Sequence, residues 1–235
     1  MRTCITAELL VHQLIVVAAV TAQTVDSSQS VDRSARLVAD WQLGTIDRSA
    51  PRFSIEGKPL AIDTKYGKAL QFDGVGDALF FDWNPLAELS SFTVEIIFRP
   101  DGDGPKEQRF LHIGDVRRDR LMVETRVTKD GYWYLDAHLR SGDSAKTLID
   151  STKRHKTDEW YHVAVVVRNG LMETYVNGSM ELRGGIPFSP FEGGQTSVGV
   201  RQNKVYWFKG TILRIRIITG ALLPSQFLRF EQQKQ

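Results

Sequence analysis

The chain has 235 residues, of which 42% are hydrophobic and 25% charged, and its net charge is +2. That length can bury a sizeable core, and all-β domains of this size are often single. So small a positive balance excludes the concentrated basic face that nucleic-acid binding usually needs. A single cysteine, Cys4, excludes a disulfide framework.

Arg2 gives a short positive start, Leu14 to Val20 is an apolar run, and Val20-Thr21-Ala22 resembles a small-residue cleavage site before Gln23. Residues 1–22 therefore read as a secretory signal peptide. The apolar run is shorter than the roughly 20 residues a membrane span takes, so the mature chain has no transmembrane span. Glu8, His12 and Gln13 interrupt the segment, and an uncleaved anchor is the alternative. Cleavage removes Cys4, one base (Arg2) and one acid (Glu8), which leaves the balance at +2. The exported domain then stands in an oxidising compartment without disulfides. Residues 23–35, rich in Ser, Gln, Asp and Thr, read as a disordered linker.

From Arg36 onward short apolar segments alternate with turn signals. The expected strands are Leu37–Leu43, Ala69–Phe72, Ala78–Phe81, Phe92–Arg99, Arg109–Ile113, Leu121–Val127, Tyr132–Arg140, Lys146–Ile149, Tyr161–Arg168, Met172–Val176, Thr196–Val200 and Tyr206–Ile218. Asp73-Gly74, Asp101-Gly102, Asp130-Gly131, Gly184-Gly185 and Gly193-Gly194 mark turns. Many short strands so punctuated predict an all-β sandwich or barrel. The one helix signal is Pro224 to Gln232, with proline at its start. Basic residues gather at Arg117, Arg118 and Arg120 and again from Lys153 to Lys156, and both groups fit exposed loops.

Trp160 to Gly178 is the densest strand signal. Asn169-Gly170 between apolar runs predicts a hairpin with positive φ at both central residues, and Asn177-Gly178 predicts a second turn. Asn177-Gly178-Ser179 also matches a glycosylation acceptor, although the turn alone accounts for it. Ala164 to Val167 is apolar without a break, which predicts a strand inside a two-layer sheet packing. Phe92, Val94, Ile96 and Phe98 share one side of their strand. Leu213, Ile215 and Ile217 share one side of another, with Arg214 and Arg216 on the reverse.

A family resemblance rests on pieces spread from about Leu37 to the C-terminus. They are V-A-D-W-Q-L near Trp41, Y-G-K-A-L-Q-F-D-G-V-G-D from Tyr66 to Asp77, S-F-T-V-E-I-I-F-R-P from Ser91 to Pro100 and W-Y-H-V-A from Trp160. Y-V-N-G at Tyr175, F-K-G-T-I-L-R-I-R-I at Phe208 and A-L-L-P-S-Q-F at Ala221 complete the series. In order and spacing the chain resembles a laminin G-like domain of the concanavalin A-like lectin and glucanase superfamily. The resemblance implies a jelly-roll β-sandwich of two curved antiparallel sheets over residues 36–235, closed by the short C-terminal helix. It also implies calcium as the cofactor to consider, with Asp47, Asp73 and Asp77 in loops where relatives can place ligands. Two departures weigh against calcium. Asn177 stands where relatives often carry Asp, and Thr211-Ile212-Leu213-Arg214 stands where they often carry an acidic pair. The E-x-D-x-E strand of the catalytic glucanases has no counterpart, and Glu95 is a lone acid on its strand.

The hairpin Leu121–Arg140 offers the richest chemistry. A two-residue Asp130-Gly131 loop would mix apolar and polar faces. A three-residue loop with Gly131 left-handed pairs Val123 with Ala137, Thr125 with Leu135 and Val127 with Trp133, and sends Trp133 to the core. On the other face Arg126 then meets Tyr134, Glu124 meets Asp136, and Met122 meets His138, with Arg140 nearby. Opposed carboxyls with Cβ atoms roughly 5 Å apart repel, so Arg126 and Arg140, a sugar, a cation or a shared proton must reconcile them. Such a pair is also the spacing of a retaining glycosidase. Glu124 and Asp136 are therefore the catalytic candidates, while His162 reads as a structural histidine.

Aromatic rings flanked by polar groups suit sugars. Tyr134 with Asp136, His138 and Arg140 forms one such set, and Tyr206 and Trp207 near Arg201 and Asn203 form a second at a loop. Trp41, Trp83 and Trp160 read as structural. The sequence thus predicts a secreted, non-catalytic recognition domain for a glycan. An extracellular protein-binding adhesion module and an atypical glycoside hydrolase are the alternatives.

Overall fold

The computed structural model describes Met1 and residues 35–47 and 52–229. The signal segment and nearly all of the linker lie outside the described residues. Sixteen strands are present among those described. In chain order they are β1 (Leu37–Gln42), β2 (Phe53–Glu56), β3 (Leu60–Thr64), β4 (Gly67–Asp73), β5 (Ala78–Phe81), β6 (Phe92–Pro100), β7 (Glu107–Gly114) and β8 (Arg120–Val127). There follow β9 (Tyr132–Ser141), β10 (Ser144–Ile149), β11 (His155–Lys156), β12 (Tyr161–Arg168), β13 (Leu171–Val176), β14 (Ser179–Gly185), β15 (Gln195–Val198) and β16 (Lys209–Thr219).

The strands form two eight-stranded antiparallel sheets packed as a jelly-roll-like sandwich. The first runs β14-β13-β12-β6-β16-β4-β3, with β1 also on β16. The second runs β10-β9-β8-β7-β15-β5-β2, with β11 also on β9. Between them lies one aromatic-rich core. Phe98 stacks on Phe110 with centroids 4.5 Å apart, and fully buried Trp133 meets Phe98 edge-on at 5.1 Å. Trp41 stacks on Phe81 and touches Trp83, and Trp160 packs on Tyr66, so these tryptophans are structural as expected.

All twelve expected strands are present. The four that periodicity missed are β2, β3, β11 and β14, which are short or lie toward the sheet margins. Gly184-Gly185, expected as a turn, instead ends β14 in register with Met172 and Leu171. Asn169 and Gly170 both take positive φ (48° and 72°), as do Asn177 and Gly178 (49° and 78°). The Asn177 side chain also accepts the His162 backbone N–H at 2.9 Å, which fixes that turn.

β12 is covered on both faces for two different reasons. Val163, Val165 and Val167 face the sandwich core, while Ala164 and Val166 lie under Tyr175, Leu222 and Phe227. One face expectation needs correcting. A bulge between Ile212 and Arg214 makes Leu213 the extra residue, so Ile212 joins Ile215 and Ile217 in the core. Leu213 packs on the outer side with Ala69 and Ile97. Period-two reading cannot see a bulge, because one added residue reverses every face before it.

Of the expected terminal helix the described residues form a single 3-10 turn, Pro224–Gln226, after which Phe227 is extended with ψ 157°; residues 230–232 lie outside the described residues. Phe227 leaves the helical path to bury its ring edge-on against Tyr175 at 5.1 Å. Among the described residues no helix is long and apolar enough to cross a membrane.

Candidate functional site

The outer face of the second sheet gathers the charged residues. β8 and β9 take the register expected from a three-residue loop: Val123 opposes Ala137, Glu124 opposes Asp136, and Arg126 opposes Tyr134. Gly131 at φ 79° makes that register possible, since a left-handed turn residue here strains any side chain.

The opposed carboxyls are reconciled by arginines. Arg126 donates from Nε and Nη2 to Asp136 Oδ2 at 2.8 and 2.6 Å, and its Nη1 lies 2.5 Å from Glu107. Arg109, on β7 opposite Glu124, places Nε 3.0 Å from Glu124 Oε2 without hydrogen-bond alignment. Arg140, expected to help, instead donates to the Gly142 carbonyl at 3.3 Å. Glu124 and Asp136 are only 1% and 2% exposed. Burial, and then the charge of Asp136, push the Glu124 carboxyl up to about 7 against the pull of Arg109 and Arg126.

The loop before β16 folds onto this face. Its Tyr206, at φ 62°, accepts the Arg109 N–H at 2.9 Å, and its ring lies 3.6 Å from the Arg109 guanidinium. Gln202 donates its backbone N–H to His112 Nδ1 at 3.2 Å. The sequence treated Tyr134–Arg140 and Arg201–Trp207 as two separate sets, and the loop joins them into one surface. Tyr134, His138, Arg140, Arg201 and Trp207 are half-buried, and Tyr206 is exposed. Phe208 belongs to the core.

His138 binds Thr147 Oγ1 through Nδ1 at 2.9 Å. Burial, then Arg120, Arg140 and Arg201, hold its imidazole down to about 4. Burial and Arg201 lower His112 to about 3.

Sequence reasoning missed Glu107, Arg109 and His112, because a bulge between Arg109 and Leu111 resets the faces of β7. It also placed Arg120 in an exposed loop, whereas Arg120 is half-buried at the start of β8. Arg117 and Arg118 are exposed as expected. In the second basic group Lys153 and Arg154 are exposed, but His155 and Lys156 form β11, and His155 Nε2 lies 2.7 Å from Glu181.

Two of the three acids considered for calcium accept backbone N–H groups. Asp73 Oδ1 accepts the N–H groups of Val75, Gly76 and Asp77 at 2.8–3.1 Å. Asp77 accepts those of Lys58 and Asp73. Asp47 is exposed. Among the described residues no three His, Cys, Asp or Glu side chains are grouped to hold a metal. Glu95 and His162 prove to be partners, 2.9 Å apart on the outer side of the first sheet.

The model of the concanavalin A-like lectin/glucanases superfamily matches residues 73–226. The chain belongs to that superfamily. Among solved structures, domain 4 of AbnA, a GH43 extracellular arabinanase from Geobacillus stearothermophilus in complex with arabinotriose, is similar at a TM-score of 0.58 and 23% identity. The likeness covers 82% of this chain and 96% of that one. The binding domain of botulinum neurotoxin DC in complex with SialylT follows at 0.53 and 11%, covering 74% of this chain and 44% of that one. Tailspike protein 2 of Escherichia coli O157:H7 bacteriophage CAB120 is similar at 0.54 and 14%, covering 71% and 25%. At these identities the likeness establishes the fold alone. No curated protein matches the sequence.

Proposed function

We propose that this superfamily member is a secreted, non-catalytic carbohydrate-recognition domain whose binding surface is the outer face of β7, β8 and β9 with the loop carrying Tyr206. The observation that carries this reading is the pairing of aromatic rings with oriented polar groups. Tyr134 and Tyr206 flank a network of Arg109, Arg126, Glu107 and Asp136. A pyranose or furanose offers both an apolar C–H face and hydroxyls, and such a surface matches both. Arginines already held by carboxylates need little ordering on binding, which favours affinity. The arabinotriose complex of the arabinanase domain, on the same fold, supports this ligand class by analogy.

A second reading has one specific observation behind it. Glu124, pushed up to about 7 by burial and the charge of Asp136, has the raised carboxyl expected of a glycosidase acid. A general acid must come within about 3 Å of the substrate oxygen. Both carboxyls are nearly fully buried, and Arg126 holds Asp136 with two hydrogen bonds, so the geometry favours binding over hydrolysis.

The test is retention of the purified chain on a broad panel of polysaccharides and glycans, with product analysis alongside. Retention without turnover is expected. A blank panel overturns the reading in favour of a protein-binding module, and turnover lost in Glu124→Gln favours the hydrolase.

A further inference from the structure

Beyond the tyrosine-flanked network, the same face carries an unbalanced positive charge. Arg120 and Arg140 stand directly opposite each other on β8 and β9. Directly opposed residues have Cβ atoms roughly 5 Å apart, and like charges there repel. Arg201 approaches from the loop before β16. Burial, and then Arg201 and Arg140, hold the Arg120 guanidinium below its ordinary value against the pull of Asp115 and Glu124.

Among the described residues none of the three has a carboxylate within ion-pair distance. Each is tethered by a backbone carbonyl instead: Arg120 Nη1 to Arg118 at 2.8 Å, Arg140 Nε to Gly142 at 3.3 Å, and Arg201 Nη2 to Val116 at 3.1 Å. The nearby loop acids hydrogen-bond backbone groups and form no ion pair with the three. Asp115 Oδ1 accepts the N–H groups of Arg117 and Arg118, and Asp119 Oδ1 accepts that of Gly142.

Two histidines add an independent sign of an incomplete site. His112 is fully buried, and its Nε2 has no hydrogen-bond partner in the protein; His138 Nε2 and the Nε atoms of Arg120 and Arg201 share that condition. Buried polar atoms are nearly always partnered, and four of the twelve exceptions among the described residues gather here. The room for a ligand is adjacent. A cavity of about 570 Å³ opens beside Arg140; Arg118 and the acids Asp115, Asp119, Asp143 and Glu192 also line it, so the space for an anion is its Arg140 end.

Resting on the carbohydrate reading above, we propose that Arg120, Arg140 and Arg201 form an anion subsite, so that the glycan recognised is acidic and presents a carboxylate or sulfate to the three guanidiniums. An anion there would relieve the repulsion between Arg120 and Arg140 and accept charge-assisted hydrogen bonds from their outer nitrogens. The half-buried setting weakens solvent screening of these charges.

The experiment compares matched pairs: oligogalacturonates with their methyl esters, and sulfated with desulfated glycosaminoglycan chains. Inorganic sulfate, followed by thermal unfolding, serves as an independent probe. Wild type is expected to prefer an acidic member by about tenfold or more, in keeping with the cost of unpairing a buried charge. Arg140→Gln and Arg201→Gln, checked by circular dichroism, should each abolish that preference. Which pair discriminates tells carboxylate from sulfate. Equal affinity for acidic and neutral members overturns the anion subsite while leaving carbohydrate recognition standing. Stabilisation by sulfate that depends on Arg140, with every glycan blank, supports the subsite and removes the carbohydrate reading. No sulfate effect and no glycan binding overturn both.

Discussion

Glu124 and Asp136 stand directly opposite each other on β8 and β9, yet Arg126 binds them unequally. It donates twice to Asp136, at 2.8 and 2.6 Å, while its Nη2 lies 3.6 Å from Glu124. Burial, and then the charge of Asp136, make the Glu124 carboxyl hold its proton up to about pH 7.

That proton has a consequence for stability. The Glu124 carboxyl rises from 4.5 to about 7 on folding. Below the lower value it is protonated in both states and contributes no pH dependence. Between the two, the unfolded chain releases the proton and the folded chain retains it, so stability falls as pH rises, and levels off above the upper value. The loss is at most about 3 kcal/mol, at 1.36 kcal/mol per unit. Urea unfolding of wild type and Glu124→Gln across this range should show the variant gaining relative stability toward high pH. Parallel curves would contradict the assignment.

The histidines beneath the arginines behave oppositely. His112 and His138, held down to about 3 and 4, stay neutral when folded but protonate near 6.5 when unfolded. Their contribution is therefore present above pH 6.5 and lost as pH falls toward those lower values. Imidazole nitrogen shifts should show both rings neutral at mildly acidic pH, and a midpoint near the ordinary value for either would count against its burial beside the arginines.

The far sheet makes a test independent of ligands. Glu95 is fully buried and accepts from His162, from Arg216 Nε at 2.6 Å and from the Leu228 N–H at 2.6 Å. Glu95→Ala strands the half-buried Arg216 guanidinium and frees the terminal segment from β6, which should cost about 3 kcal/mol. Amide exchange at Leu228 should accelerate with it. Unchanged protection there would mean that the packing of Phe227 and Leu228 holds the segment without Glu95.

Calcium should leave thermal stability unchanged, because Asp73 and Asp77 already satisfy backbone N–H groups. A rise of several degrees in the unfolding midpoint with calcium over chelator would support the metal site instead.

The fold was legible because its signals are local. Asn-Gly turns, alternating apolar residues and the choice of register at Gly131 all follow from a few neighbours in sequence. The site was legible only where it lay on one hairpin, from Glu124 to Arg140. Arg109 and His112 were hidden by a bulge, and the meeting of Arg201 and Tyr206 with that hairpin depends on a loop some 60 residues further on. Leu213 was misplaced for the same reason as Arg109. A single inserted residue is invisible to period-two reasoning yet decides which side faces solvent.

The most direct measurement is the affinity of wild type, Tyr134→Ala and Tyr206→Ala for the glycan that retains the chain, with folding confirmed by circular dichroism. Loss of a sugar-stacking ring should weaken binding by about tenfold or more while leaving the fold intact, since aromatic contacts are worth roughly 0.5–1.5 kcal/mol beyond the area they bury. Full affinity in both variants would contradict recognition on this face.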